Sequence, residues 1–325
     1  MATIDSVKLP DNSTYDLTDN YSGYQTETLA TPITVDGTSE TTVEDALGAV
    51  NDYADKIKGS MSNENLLDNP WFTVNQRGAT GGTIVAHTPI VDRWKVDLGT
   101  GSPTWALTSS GITLNPATNS YAYIYQQLAD GSALVGKQLT VSVKLSNGTV
   151  LSTSFTRTSE TNQFETKDNV RMGINASDRV AIYAMDGVSK TIRAVKLELG
   201  TVSTLALDVA PDYTTELLKC QSKFYRMLVL GSEDLFPMAN RNGWTAYLTI
   251  DLPVPMDGTL TVTHSGTFEI LQGETLIPVV RISLSKATST KLAGSVDTAG
   301  GLTAGYASML YGYVGAYIDV SSSND

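Results

Sequence analysis

Two histidines, one cysteine and fifteen tyrosines are the side chains with which this 325-residue chain could do unusual chemistry. A Ser-His-Asp relay would need His87 or His264 beside a nucleophile, and neither stands near a Gly-x-Ser-x-Gly elbow. Cys220 falls on the apolar face of a helical stretch and reads as a buried structural thiol. No His/Cys spacing suits zinc, and no Asp-x-Asp-x-Asp-Gly loop suits calcium. Asp168, Asp178 and Asp186 are the oxygen donors left for a structural ion. Gly78 to Gly82 lacks the Lys-Ser/Thr of a phosphate loop. Acidic residues could supply the carboxylate pair of a glycosidase, but no long internal repeat accompanies them. The residues therefore predict no enzyme: no catalytic site, no metal and no cofactor.

Binding is the better match to these residue types. Sugars are gripped by exposed aromatic faces beside planar polar groups. Tyr306, Tyr311 and Tyr313, interleaved with glycine between Gly300 and Gly315, form the candidate recognition loop. They would serve equally well against a neighbouring subunit. Trp105, after Pro103-Thr104, is open between ligand and core. Tyr121, Tyr123 and Tyr125 alternate with Ala122, Ile124 and Gln126, which puts the tyrosines on one face, read as inter-sheet core. Trp71 and Trp94 are expected in the core, and Trp244 in a structural position.

The elements that must position these groups are strands. Thr, Val and Tyr recur, and turn residues punctuate short alternating runs, so the fold class is all-β, of sandwich or jelly-roll type. Val7 to Leu17 reads as a hairpin around Pro10-Asp11-Asn12-Ser13. Asn147-Gly148 joins Leu139–Leu145 to Thr149–Phe155, and Asp186-Gly187 is expected to join Val180–Met185 to Val188–Leu199 in a second hairpin. Residues 41–58 predict a helix capped by Thr41 with Glu44. On it Val43, Leu47, Val50, Ala54 and Ile57 keep heptad spacing, the pattern of a short trimerising coiled coil or of a helix packed on its own domain. Residues 211–226 predict a linker helix with Tyr213, Leu217, Cys220 and Phe224 on one face. Residues 227–325 return to strands, and Ala316 to Val320 form the last of them.

Charge narrows the partners. Residues 1–60 carry 11 acidic and 3 basic side chains within a chain of net charge -12. Without a Lys/Arg cluster, neither nucleic acid nor an anionic membrane surface is an expected partner. The opening Met-Ala-Thr-Ile-Asp lacks a signal-peptide pattern. No apolar run approaches the ~20 residues of a membrane span. The single cysteine forbids an intrachain disulfide, which suits assembly in a reducing cytoplasm.

Particular words then stand out in order. They are Asn65-Leu66-Leu67-Asp68-Asn69-Pro70-Trp71-Phe72 with Asn75-Gln76-Arg77-Gly78, then Val91-Asp92-Arg93-Trp94, then Lys196-Leu197-Glu198-Leu199-Gly200, then Cys220-Gln221 with Phe224-Tyr225-Arg226. Together they resemble the carbohydrate-binding-module-like jelly roll of phage and prophage tail fibre and virion structural proteins, over roughly residues 62–226. The resemblance implies an attachment segment at 1–60, a jelly roll at 61–210, a linker helix at 211–226 and a second, jelly-roll-like sandwich at the tip, 227–325. It implies a virion protein, a homotrimer assembled in the host cytoplasm and released by lysis. Its N-terminus would dock on other virion proteins and its tip would face a host-surface saccharide. A head or collar fibre or decoration protein is the other role it implies.

Overall fold

The computed structural model describes residues 6–8, 14–16, 28–35, 38–50, 63–97, 99, 101–159, 162–231, 233–256, 258–323 and 325. The chain divides into two compact units, Met1–Ser62 and Asn63–Asp325.

In the first unit β1 (Ser6–Lys8) pairs antiparallel with β2 (Thr14–Asp16), Val7 opposite Tyr15. The expected turn between them lies outside the described residues. A second ladder, which the sequence did not announce, joins β3 (Thr28–Val35) to β4 (Thr38–Thr42). Helix α1 follows directly at residues 43–50. Its cap is Thr42, not Thr41: the Thr42 hydroxyl accepts from the Asp45 amide at 3.1 Å and donates to the Asp45 carboxylate at 2.6 Å. The shift has a simple cause, because Thr42 still pairs with Thr28 in the ladder and the helix begins one residue later. Along the expected seam Val43 is half-buried, while Leu47 and Val50 are exposed. The buried helical residue is Ala46, off that seam. Ala54 and Ile57 lie outside the described residues.

The second unit is β throughout, apart from one α-helix and a short 3₁₀ turn among its described residues. Its strands begin with β5 (Gly81–Thr83), β6 (Thr88–Val91), β7 (Trp94–Asp97), β8 (Thr104–Thr108), β9 (Gly111–Asn115) and β10 (Ala122–Gln127). They continue with β11 (Gln138–Leu145), β12 (Val150–Thr156), β13 (Gln163–Lys167), β14 (Val170–Ile174), β15 (Arg179–Ala184) and β16 (Lys190–Leu199). Two six-stranded antiparallel sheets result, one ordered β13-β14-β15-β10-β7-β6 and the other β12-β11-β16-β9-β8-β5. Alternate residues of both sheets share one core: Leu139, Val141 and Val143 of β11, Val195 and Leu197 of β16, Ile124 of β10, and Val180 and Ile182 of β15. Burying each such side chain contributes about 1.5–3 kcal/mol.

The Asn147-Gly148 hairpin closes as expected, with Gly148 at φ +89°. Asp186-Gly187 does not make a hairpin. Both residues are left-handed, at φ +58° and +74°, yet β15 and β16 lie in opposite sheets. Strand β15 already has β10 and β14 on its two edges, and β16 has β11 and β9. The turn is therefore a crossover, pinned by a bond from the Gly187 amide to the Ser120 carbonyl.

Helix α2 (Tyr213–Gln221) starts at Asp212, which accepts from the Thr215 amide at 2.8 Å. It is shorter than predicted. Phe224 belongs to the next strand, Tyr213 is exposed, and the buried positions are Glu216 and Cys220. Then come β17 (Phe224–Leu228), β18 (Glu233–Asn240), β19 (Thr245–Asp251), β20 (Leu260–Ser265), β21 (Phe268–Gln272), β22 (Thr275–Thr288), β23 (Lys291–Thr298), β24 (Ala307–Gly312) and β25 (Tyr317–Ser322). The expected sandwich is instead a closed barrel, β18-β19-β23-β22-β21-β24, with a three-stranded sheet β17-β25-β20 as a separate set. Strand β22 makes closure possible. It runs 14 residues, pairs with β21 through its first four and with β23 through the rest, and carries two register shifts that bend it.

Candidate functional site

Tyr121, just before β10, and Tyr123 and Tyr125 within it lie on the outer side of their sheet, with Tyr125 covered there to 3% exposure. Ile124 and Ala122 take the inner positions because β10 registers Ile124 against Val96 and Ile182, so the pleat turns Tyr121, Tyr123 and Tyr125 outward. This reverses the expected inter-sheet placement. Either phase of that run could have been core, since tyrosine carries both apolar area and a polar tip.

The neighbouring strands extend the row. Asp97 of β7, Tyr123, Tyr183 of β15 and Arg171 of β14 stand opposite one another in register. The Tyr123 and Tyr183 rings stack, with centroids 4.3 Å apart and planes 19° from parallel. Tyr121 and Phe164 each meet Tyr183 edge-on at 5.6 Å. The Arg171 guanidinium lies 4.9 Å from the Phe164 centroid, and that of Arg179 4.7 Å from Tyr125. The Tyr123 hydroxyl donates to Asp97 at 2.8 Å. His87 Nδ1 lies 2.8 Å from the same carboxylate and 3.1 Å from the Tyr125 hydroxyl. Burial, with the Asp97 carboxylate as acceptor, pushes the Tyr123 phenol far above its ordinary value. Burial also raises Tyr125 and Tyr183. The phenols stay neutral O–H groups throughout the physiological range. Tyr121 is 38% exposed, and Tyr123, Tyr183, Phe164 and Arg171 are half-exposed. The face thus offers aromatic planes, a guanidinium and neutral hydroxyls, the combination that stacks on and hydrogen-bonds a sugar ring.

The residues singled out from the sequence fall elsewhere. Trp105 is 6% exposed, in the core of the two sheets, with its backbone paired to Gly82 and Leu114. No ligand reaches its ring. Tyr306, Tyr311 and Tyr313 do not share a loop, because Gly300–Gly315 contains β24. Tyr306 precedes the strand and is 60% exposed. Tyr311 sits inside the strand and meets Tyr313 edge-on at 5.3 Å, and the Tyr313 hydroxyl donates to Glu269 at 2.6 Å. Five residues of extended chain put Tyr306 roughly 17 Å from Tyr311. Tyr306 instead shares a barrel end with Trp244, which is 63% exposed rather than structural. There the Asn240 amide bonds the Tyr306 carbonyl and the Leu302 amide the Gly243 carbonyl. Asp168 pairs with Lys190 and Asp178 with Arg157, so these acids have separate partners. The Cys220 thiol is buried, and burial pushes its pKa up.

The words behind the resemblance build framework. Asn69 takes its amide to Glu216 at 2.7 Å, its side-chain donors to Val74 and Asp92 carbonyls, and its carbonyl to the Trp94 indole. Gln76 donates to Asp92 and to the Phe224 carbonyl, and the Arg77 guanidinium lies 3.5 Å over the Phe224 ring. Arg226 holds Asp319 through two nitrogens and the Arg77 carbonyl through a third. Trp94 is fully buried as expected. Trp71 is not core: it is half-exposed, in a groove beside Lys144 and Arg193. No protein-family model matches the chain, and no curated protein matches it.

Proposed function

We propose that this chain is a non-enzymatic virion protein of a bacteriophage-type particle, a fibre or receptor-binding subunit that grips host-surface saccharide through the outward tyrosine face. The observation that carries the reading is the stacked Tyr123–Tyr183 pair, flanked by Tyr121, Phe164 and Arg171 on one sheet surface. In this reading the two six-stranded sheets are a carbohydrate-binding jelly roll. Residues 1–60 attach to other virion proteins and trimerise through α1, whose Leu47 and Val50 are exposed. The barrel, with Trp244 and Tyr306 at one end, is a second exposed surface at the tip. Each glycan contact is weak, and three copies raise overall binding by about 10²–10⁴.

The test is binding of the full chain to host cells and to a panel of neutral host glycans, with Y121A/Y183A as the variant. Both rings lie on the outer face, but Tyr183 stacks on Tyr123 and meets Tyr121 and Phe164, so the variant is expected to melt lower by about 0.5–1.5 kcal/mol per aromatic pair lost and still to fold. Undiminished adsorption by a folded variant would remove the tyrosine face from recognition. The chain would then be a head or collar fibre or decoration protein whose contacts are with other virion proteins.

A further inference from the structure

The opposite sheet carries a second, differently charged site. A groove of about 600 Å³ opens beside Trp71. Three features of the chain build it. Phe72 stands at φ +59°, a left-handed conformation that costs a bulky residue about 1–2 kcal/mol. That twist sends Phe72 into the core, edge-on to Trp94 at 5.2 Å, and leaves its neighbour Trp71 half-exposed. Next, Leu145 of β11 faces Ile192 of β16 while Lys144 faces Ala194, so Arg193 is the extra residue of a β-bulge. Bulges re-aim side chains, and they are over-represented beside functional sites. Finally, Gly111 lines the groove behind the bulge, where a Cβ would sit 2.0 Å from the Ile192 carbonyl. Only glycine lets β9 approach the bulged backbone this closely.

The result is an indole with two cations at its margin: Lys144 Nζ at 5.3 Å and the Arg193 guanidinium at 5.8 Å from the ring centroid. Neither cation has a carboxylate partner among the described residues; Asp208 also lines the groove, but its charge is held by the buried Lys196 at 2.8 Å. Thr73 and Ser109 also line the wall, and so does Thr108, whose hydroxyl donates to the Gly111 carbonyl and accepts from the Ser110 amide. A bare anion would use the cations and waste the indole, and a neutral sugar would do the reverse. A pyranose ring that carries a carboxylate uses both.

We propose that this groove binds an acidic saccharide, a uronic-acid unit whose ring stacks on Trp71 and whose carboxylate lies between Lys144 and Arg193. The site stands apart from the tyrosine face and does not depend on it.

The experiment is isothermal titration of the full chain with a uronic-acid tetrasaccharide and with its carboxyl-reduced, neutral counterpart. The native chain should favour the acidic form by about tenfold, with the preference shrinking as salt rises. K144Q/R193Q, two changes at the groove surface, should abolish the preference and leave the thermal melt in place. W71F should weaken both forms several-fold and keep the preference, a result independent of how well the double variant folds. Equal affinity of the native chain for the two forms overturns the proposal, as does a preference that survives K144Q/R193Q. Loss of the preference in Y121A/Y183A, with K144Q/R193Q unaffected, would move acidic recognition to the tyrosine face and overturn it too. Failure of the tyrosine face alone shows in neutral-glycan binding and leaves the acidic preference intact.

Discussion

Lys196 shows how one residue of a recognisable word can be indispensable without touching a ligand. Its side chain is wholly buried on the outer side of the second sheet, beneath the chain that follows β16. The ammonium donates to the Thr204 hydroxyl at 2.8 Å and to Asp208 at 3.0 Å, with Glu198 at 3.7 Å. Glu198 in turn accepts from the Thr204 amide and hydroxyl. The alternation of Lys196, Leu197 and Glu198 therefore sends Leu197 into the core and both charges to the other face, where they tie down residues 203–208. A buried ion pair is costly to break from one side, because the orphaned charge stays in low dielectric. K196M is expected to destabilise the fold by about 3–5 kcal/mol, and K196M/E198M by distinctly less. Denaturant titration of the three proteins measures this. Equal losses in the single and double variants would mean that the charges do not act as a pair.

At the scale of elements, the molecule depends on how β17 and β25 meet the loop around Gln76 and Arg77. Arg226 brackets Asp319 and the Arg77 carbonyl, Arg77 covers Phe224 and pairs with Asp325, and Lys95 reaches the Asp325 carbonyl at 2.5 Å. R226A removes three of these bonds and should split a single calorimetric transition into two, one for the paired sheets and one for the barrel. A single transition that merely moves to lower temperature would show that the barrel cannot stand alone. Asp92, at the centre of the same joint, works against stability at higher pH. Burial raises its carboxyl above the ordinary 3.8, although Gln76 and Arg77 pull the other way. Between 3.8 and the raised value the folded protein holds more protons than the unfolded chain, so stability falls as pH rises through that window. D92N should flatten that part of the stability–pH curve, and an unchanged slope would assign it to another group. This joint also marks what the sequence could and could not convey. Strand periodicity was legible, because Leu139, Val141 and Val143 alternate cleanly and Asn147-Gly148 is a strong local turn. Pairing was not: Asp186-Gly187 has the same local chemistry, and only the occupied edges of β15 make it a crossover. The phase of Tyr121–Gln126 was ambiguous for a related reason, as both its faces are apolar enough to bury and the choice is made by Val96 and Ile182 on other strands. Trp105, after Pro103-Thr104, was open between core and ligand in the sequence, and its pairing with β5 and β9 buries it. Trp71 and Arg193 were hidden more deeply, since a left-handed phenylalanine and a one-residue bulge leave no periodic trace.

For the whole molecule the decisive number is copies per particle of protein in solution. Within α1, Leu47 and Val50 are exposed, although both fall on a heptad seam with Val43. Exposed apolar residues at such spacing fit a partner helix, and three chains meeting there would set three tyrosine faces on one assembly. Light scattering on the full chain should then give three times 34.7 kDa. L47E/V50E should lower the mass to that of one chain while each tyrosine face keeps its intrinsic affinity. Adsorption to cells would fall by much more than the single-site affinity, because avidity across three sites contributes about 10²–10⁴. On the proposed reading as a virion fibre, the N-terminal segment, with 11 acidic and 3 basic side chains in its first 60 residues, should dock on a basic acceptor. That docking should weaken as ionic strength shortens the screening length from about 10 Å at 0.1 M to about 3 Å at 1 M. The two measurements separate two roles of one segment. A trimer whose docking ignores salt would keep the helix seam and discard the charge argument. A monomer would count against the seam as a trimer contact, and salt-sensitive docking would then rest on the charge of the segment alone.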